Sequence, residues 1–88
     1  MLDVRLFHYI KTFMYYVYLI RNTKTKELYI GYTNDLKRRL AEHATKNPEL
    51  LYYESYKADA DARRREKMLK QRGQSIRRLK ERLKNSLL

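Results

Sequence analysis

Arg39 and His43 lie four residues apart in the stretch "DLKRRLAEH". On a helix this spacing puts them on one ridge. An arginine grips a phosphate through two donors, and a histidine gives or takes a proton near neutral pH. Upstream, Tyr18 in "YVYLI" and Tyr29 in "LYIGY" occupy two short segments. A phenol has a pKa of about 10 in water, so only roughly one in a thousand is ionised at neutral pH. It becomes a general base only where neighbouring cations lower that value. Glu66, in "ADARRREKMLK", falls between Ala62 and Leu69 in the stripe that should face inward. A carboxylate there needs a counter-ion to offset its desolvation. One metal carboxylate, an arginine for phosphate charge, a phenol as base and a basic surround form a set suited to cutting a phosphodiester.

Each residue alone has a plainer reading. Tyrosines in strands pack cores, an arginine in "KRRL" belongs to a solvated basic face, and Glu66 can be half of a structural salt bridge. The elements that carry these residues therefore matter. Met14 to Ile20 reads as a strand from its aromatic and β-branched content, and Leu28 to Tyr32 as a second. A hairpin turn centred between Thr23 and Lys24 would set Tyr18 opposite Tyr29, on one face. Gly31 inside the second strand marks a close approach of backbone or ligand. Thr33 or Asn34 can cap a helix beginning at Asp35, with Leu36, Leu40 and Ala44 as its buried stripe. Leu50 to Tyr56 reads as a third strand after a loop at Pro48. Asp59 or Asp61 caps the next helix, which runs to about Arg72, and Gly73 is placed to terminate it. Ser75 can cap the last helix, whose stripe is Ile76, Leu79, Leu83 and Leu87. The order is β-β-α-β-α-α, an α+β fold with a small three-stranded antiparallel-type sheet and helices around it.

The chain has 88 residues, enough for one domain and one compact core. Its 21 Lys and Arg against 10 Asp and Glu give a formal charge of +11, which points to a polyanion and first to nucleic acid. A membrane partner fits poorly, because the longest apolar run, Phe13 to Ile20, is far below the roughly 20 residues of a spanning helix. There is no cysteine, so no disulfide and no thiolate metal site. That suits a cytoplasmic setting. Residues 1–13 do not read as a signal peptide and form an N-terminal extension to a domain at 14–88.

The constellation resembles the GIY-YIG nuclease family, and most of all its small stand-alone bacterial members. The first motif reads Tyr16-Val17-Tyr18 and the second Tyr29-Ile30-Gly31. The family arginine maps to Arg39, its helix histidine to His43 and its metal-binding glutamate to Glu66. Tyr16 stands where many members have glycine, the stretch from Ala44 to Glu49 is short, and Asn85 is the candidate for a C-terminal asparagine. The resemblance implies hydrolysis of DNA, single-stranded, branched or damaged, with one magnesium or manganese ion on Glu66. Arg39 would balance charge on the phosphorane. Tyr29, with Tyr18 close behind, would act on the attacking water, and His43 would assist. Lys37, Arg38, Arg77 and Arg78 would hold the DNA backbone. Glu66 and Arg39 would then face one cleft. Sequence-specific cutting would need a specificity-conferring partner protein. The competing reading is a basic nucleic-acid-binding module without cleavage. Glu66 separates the two, because pure binding gives no reason for a lone acid on that face.

Overall fold

The computed structural model describes residues 14–71 and 73–88, so the N-terminal extension at 1–13 and Arg72 lie outside the described residues. The elements in chain order are β1 (Tyr15–Asn22), β2 (Leu28–Thr33), α1 (Leu36–Glu42), a short 3-10 helix (Ala44–Lys46), β3 (Pro48–Tyr56), α2 (Asp59–Lys70) and α3 (Gln74–Arg82). The sheet is antiparallel with order β2-β1-β3, so β1 is central.

The β1–β2 turn sits one residue later than the sequence suggests. Asn22 Oδ1 accepts from the amides of Lys24 at 2.9 Å and Thr25 at 3.1 Å. Lys26 takes the left-handed conformation with φ 66°, and the Asn22 amide bonds the Glu27 carbonyl at 2.9 Å. This local capping moves the register by two, so Tyr18 faces Gly31 and Tyr29 faces Ile20. A shift of two keeps every side chain on its face. Tyr18 and Tyr29 therefore still share a side of the sheet.

The two faces have different work. Val17 is buried with Ala62, Leu69 and Leu79, and Tyr15, Ile30, Tyr32, Tyr52, Tyr56, Ile76 and Leu83 pack around them. This face carries α2 and α3; Ala62 and Leu69 of α2 and Ile76, Leu79 and Leu83 face it as expected, whereas Leu87 lies beyond the end of α3. The other face carries Tyr16, Tyr18, Ile20, Tyr29 and Gly31, with α1 reaching over it. Both faces of β1 are covered, which leaves four consecutive residues, Val17 to Ile20, buried.

Several helix ends differ from their sequence signals. Asp35, not Thr33 or Asn34, is the N-cap of α1 and accepts from the Arg38 amide at 3.1 Å. Thr33 instead bonds Asp35 on both its amide and carbonyl. Ala44 leaves the helix and is exposed in the 3-10 segment. Ala58 is the N-cap of α2, so Asp59 and Asp61 lie inside its first turn, where they meet the helix dipole. Gly73 is the N-cap of α3 with φ −116°, and Ser75 lies within that helix. Nothing there needs the left-handed backbone that makes glycine a terminator.

Gly31 earns its place by space alone, since its φ is not positive. A Cβ there would run into the Tyr18 ring and hydroxyl. Gly31→Ala should cost about 1–3 kcal/mol, the usual range for overpacking, measured by denaturant unfolding. A loss too small to measure would show that the ring moves aside freely.

Candidate active site

The Tyr18 side chain crosses the face of Gly31 and ends between two residues of the α1 segment. Its hydroxyl accepts from Arg39 Nε at 3.2 Å and pairs with His43 Nε2 at 2.9 Å. Arg39 donates into one lone pair of the phenol, and in the neutral tautomer whose Nε2 is unprotonated the hydroxyl gives its proton to His43. The electrostatics agree. Burial, then the cations of Lys46 and Arg39, push His43 below its ordinary value and outweigh Glu42. Arg39 is held fully charged by Tyr18 and by Glu42, which its Nη1 meets at 2.8 Å.

Tyr29 is placed differently. Its hydroxyl donates to Glu27 Oε2 at 2.6 Å, and this bond raises its pKa. Lys46 Nζ lies 4.7 Å from its ring centroid. A phenol whose proton is held by a carboxylate is a weaker base candidate than one poised on a neutral imidazole.

Glu66 sits on α2, across the sheet from α1. Its ridge of the helix carries Asp59, Arg63 and Lys70. Asp59 accepts from Tyr32 of β2, and the Arg63 guanidinium lies over the Tyr32 ring at 4.4 Å. Lys70 lines a cavity with Leu28 and Ile30 of the same strand. Glu66 therefore stands along β2, on the far side of that edge strand from Arg39. It pairs with Lys70 at 3.2 Å, and the two side chains are 24% and 55% exposed. Among the described residues no hydrogen bond or ion pair joins Glu66 to Tyr18, Arg39, His43 or Tyr29. The structure thus brings three of the five candidates into contact and leaves Tyr29 and Glu66 in contacts of their own. The single-cleft arrangement expected for Glu66 and Arg39 is not formed by direct contact.

The basic residues divide in the same way. Lys37 and Arg38 are exposed on α1, where Arg38 pairs with Glu42 at 3.5 Å. Arg77 and Arg78 are exposed on α3, over the other face. Arg77 lines the cavity beside β2 with Lys70 and Lys80, whereas Arg78 bonds Gln74 at 3.2 Å. Asn85 is exposed.

Two carboxylates with clear roles were not among the sequence candidates. Glu42 and Glu27 hold Arg39 and Tyr29, and their spacings, three residues on and two residues back, were legible as same-face neighbours. A third, Glu54, accepts from the hydroxyls of Tyr52 and Tyr56 and from Arg65 Nε at 2.7 Å. Burial alone would raise Glu54, but these donors hold it below its usual range. Burial and Glu54 in turn push Tyr56 up to about 12. This cluster ties α2 to β3.

No group of three or more His, Asp or Glu side chains among the described residues is arranged to hold a metal ion. Glu66 offers one partly exposed carboxylate. That donor set fits magnesium, which keeps several waters and binds through one or two carboxylates plus substrate phosphates. It does not fit an all-protein cage.

A family model described as the GIY-YIG catalytic domain matches residues 14–82. The chain belongs to this family. It is a nuclease domain, and DNA is the substrate such a domain implies. No curated protein and no solved structure matches the chain. No helix among the described residues is long and apolar enough to cross a membrane.

The lowered pKa of His43 makes a pH prediction. The folded value lies below the unfolded one of about 6.5, so the unfolded chain binds more protons between them. The stability contributed by neutral His43 is whole above about pH 6.5 and is lost as pH falls through the folded value. Urea unfolding should show wild type losing more stability than His43→Gln between about pH 7.5 and 5. Equal losses would contradict the neutral assignment.

Proposed function

We propose that this chain is a divalent-metal-dependent endonuclease that hydrolyses DNA phosphodiester bonds. The observation that carries the reading is the Tyr18 hydroxyl held between Arg39 Nε and His43 Nε2. Tyr18, rather than Tyr29, is then the base. It passes its proton to His43 and takes one from the attacking water. The water oxygen bonds to phosphorus, and the bond to the 3′ oxygen breaks; that oxygen takes a proton from solvent, leaving a 5′-phosphate and a 3′-hydroxyl. Arg39 balances the added negative charge.

Glu66 would hold the ion, magnesium or manganese, with waters and phosphate oxygens filling its other positions. When bound there, the ion would supply Lewis-acid stabilisation of the leaving oxygen. Glu66 and Arg39 flank β2, an edge strand, so a DNA backbone laid along that edge reaches both. Each is held in the free chain by a partly exposed ion pair, Arg39 by Glu42 and Glu66 by Lys70. Such pairs contribute only about 0–1 kcal/mol, so a phosphate and a cation replace them at little cost. Lys37 and Arg38 on one side, and Lys70 and Arg77 on the other, hold the backbone without reading sequence. A separate specificity-conferring protein would direct cutting to particular sequences.

The test is Glu66→Gln. Its partner is an exposed lysine one turn on, so the substitution should cost less than about 0.5 kcal/mol. Cleavage should fall by about a hundredfold or more, while DNA affinity without metal holds or rises. A folded variant that cuts DNA at the wild-type rate with magnesium would refute the metal assignment. A wild-type chain that binds DNA tightly and cuts none would favour the binding module.

A further inference from the structure

Tyr18 is not the only aromatic on its face. Tyr16 lies two residues before it on β1, and Tyr53 of β3 is its direct cross-strand partner. The Tyr18 ring leans the other way, over Gly31 and toward β2. The β3 half of this face is thereby left open. Tyr53 is 52% exposed, and Leu50 further along the strand is 38% exposed. The rings of Tyr16 and Tyr53 meet edge to face, with centroids 6.1 Å apart and planes at 62°.

Among the described residues, the tyrosines other than Tyr16, Tyr18 and Tyr53 have other partners. Tyr29, Tyr32, Tyr52 and Tyr56 donate to Glu27, Asp59 or Glu54, and Tyr15 stacks on Tyr32. Tyr53 instead turns an aromatic surface to solvent beside the residues placed for cleavage. The neighbouring charge is complementary to a polyanion. Tyr16 pairs across the sheet with Thr33, two residues before Asp35, the N-cap of α1, so α1 begins near the platform. That helix presents Lys37 and Arg38 to solvent, on a chain of formal charge +11. Exposed rings on a sheet face beside cations are the combination that takes unpaired bases by stacking and their backbone by charge.

We propose that Tyr16 and Tyr53 form a platform on which an unpaired base of the substrate stacks, so that the DNA cut here has a single-stranded stretch next to the scissile bond. The inference deepens the nuclease reading and rests on it for the position of the cut. A continuous duplex keeps its bases stacked on one another and offers the platform no free face. A frayed, flapped or single-stranded segment offers one directly.

The experiment measures binding of the full chain to a labelled oligothymidine and to a duplex of equal length, without divalent ions. Tyr53→Leu keeps apolar bulk but removes the ring, and Tyr53→Phe keeps the ring. Tyr53→Leu should weaken single-strand binding by about tenfold or more and leave duplex binding within about twofold, while Tyr53→Phe binds as wild type. The chain has nine tyrosines and no tryptophan, so tyrosine emission is directly readable. The single strand should quench it and the duplex should not. Leu variants at Tyr16 and Tyr53 that bind the single strand like wild type overturn the platform. So does an equal loss for single strand and duplex. If Tyr53→Leu does not fold, the wild-type emission titration decides, and absence of single-strand quenching overturns the proposal. A chain that cuts no DNA yet loses single-strand binding in Tyr53→Leu keeps the platform and rejects the nuclease mechanism. A chain that cuts DNA with the platform variants unimpaired does the reverse.

Discussion

Tyr18 can hold its hydroxyl between Arg39 and His43 only because its cross-strand partner on β2 has no side chain. Any Cβ at Gly31 would occupy the space that the ring fills. The close approach does two things at once. It buries the body of a large aromatic on the central strand, and it fixes the phenol oxygen over β2, where α1 brings a guanidinium and an imidazole. Packing and chemistry rest on the same pair of residues. The second-motif glycine thus has a steric reason, independent of any turn.

Away from that pair, the chain keeps most of its packing and its exposed polar groups on opposite faces of the sheet. The larger apolar cluster lies on one face of the sheet, where Val17, Ala62, Leu69 and Leu79 are buried together. Glu54 and Arg65 secure that side, their ion pair less exposed than that of Arg39 and Glu42. The tyrosines meant for chemistry point to the opposite face. Their partners there are partly exposed groups on short elements, Arg39, Glu42 and His43, held by few interactions. Surface ion pairs of this kind are cheap to exchange. A phosphate arriving at α1 would therefore displace Glu42 from Arg39 without disturbing the core.

Much of this was legible in the sequence, and the reason is periodicity. The stripes Ala62/Leu69 and Ile76/Leu79/Leu83 follow the helical period, and both pack as that period requires. The element order and the shared face of Tyr18 and Tyr29 follow from alternation in the strands. The hairpin register was not legible, because it depends on a side chain, Asn22, capping the turn from within β1. The shift it caused was even, so the face survived while the pairing did not. Gly73 misled because glycine is favoured after a helix, yet here it opens the next one. The separate placement of Glu66 was also hidden. A stripe position tells which way a residue faces on its own helix, not which side of the sheet that helix covers. The bond that ties the Tyr29 hydroxyl to Glu27, two residues back on the strand, was not read from the sequence either.

The most direct measurement is single-turnover cleavage of single-stranded DNA by Tyr18→Phe with magnesium present. The substitution keeps the ring across Gly31 and removes only the oxygen between Arg39 and His43. Losing those hydrogen bonds should cost about 1 kcal/mol of stability and leave DNA affinity unchanged. Cleavage should fall by about a hundredfold or more, the scale of a lost general base. A folded Tyr18→Phe that cuts at the wild-type rate would contradict the account, because the hydroxyl at its centre would then do no chemistry.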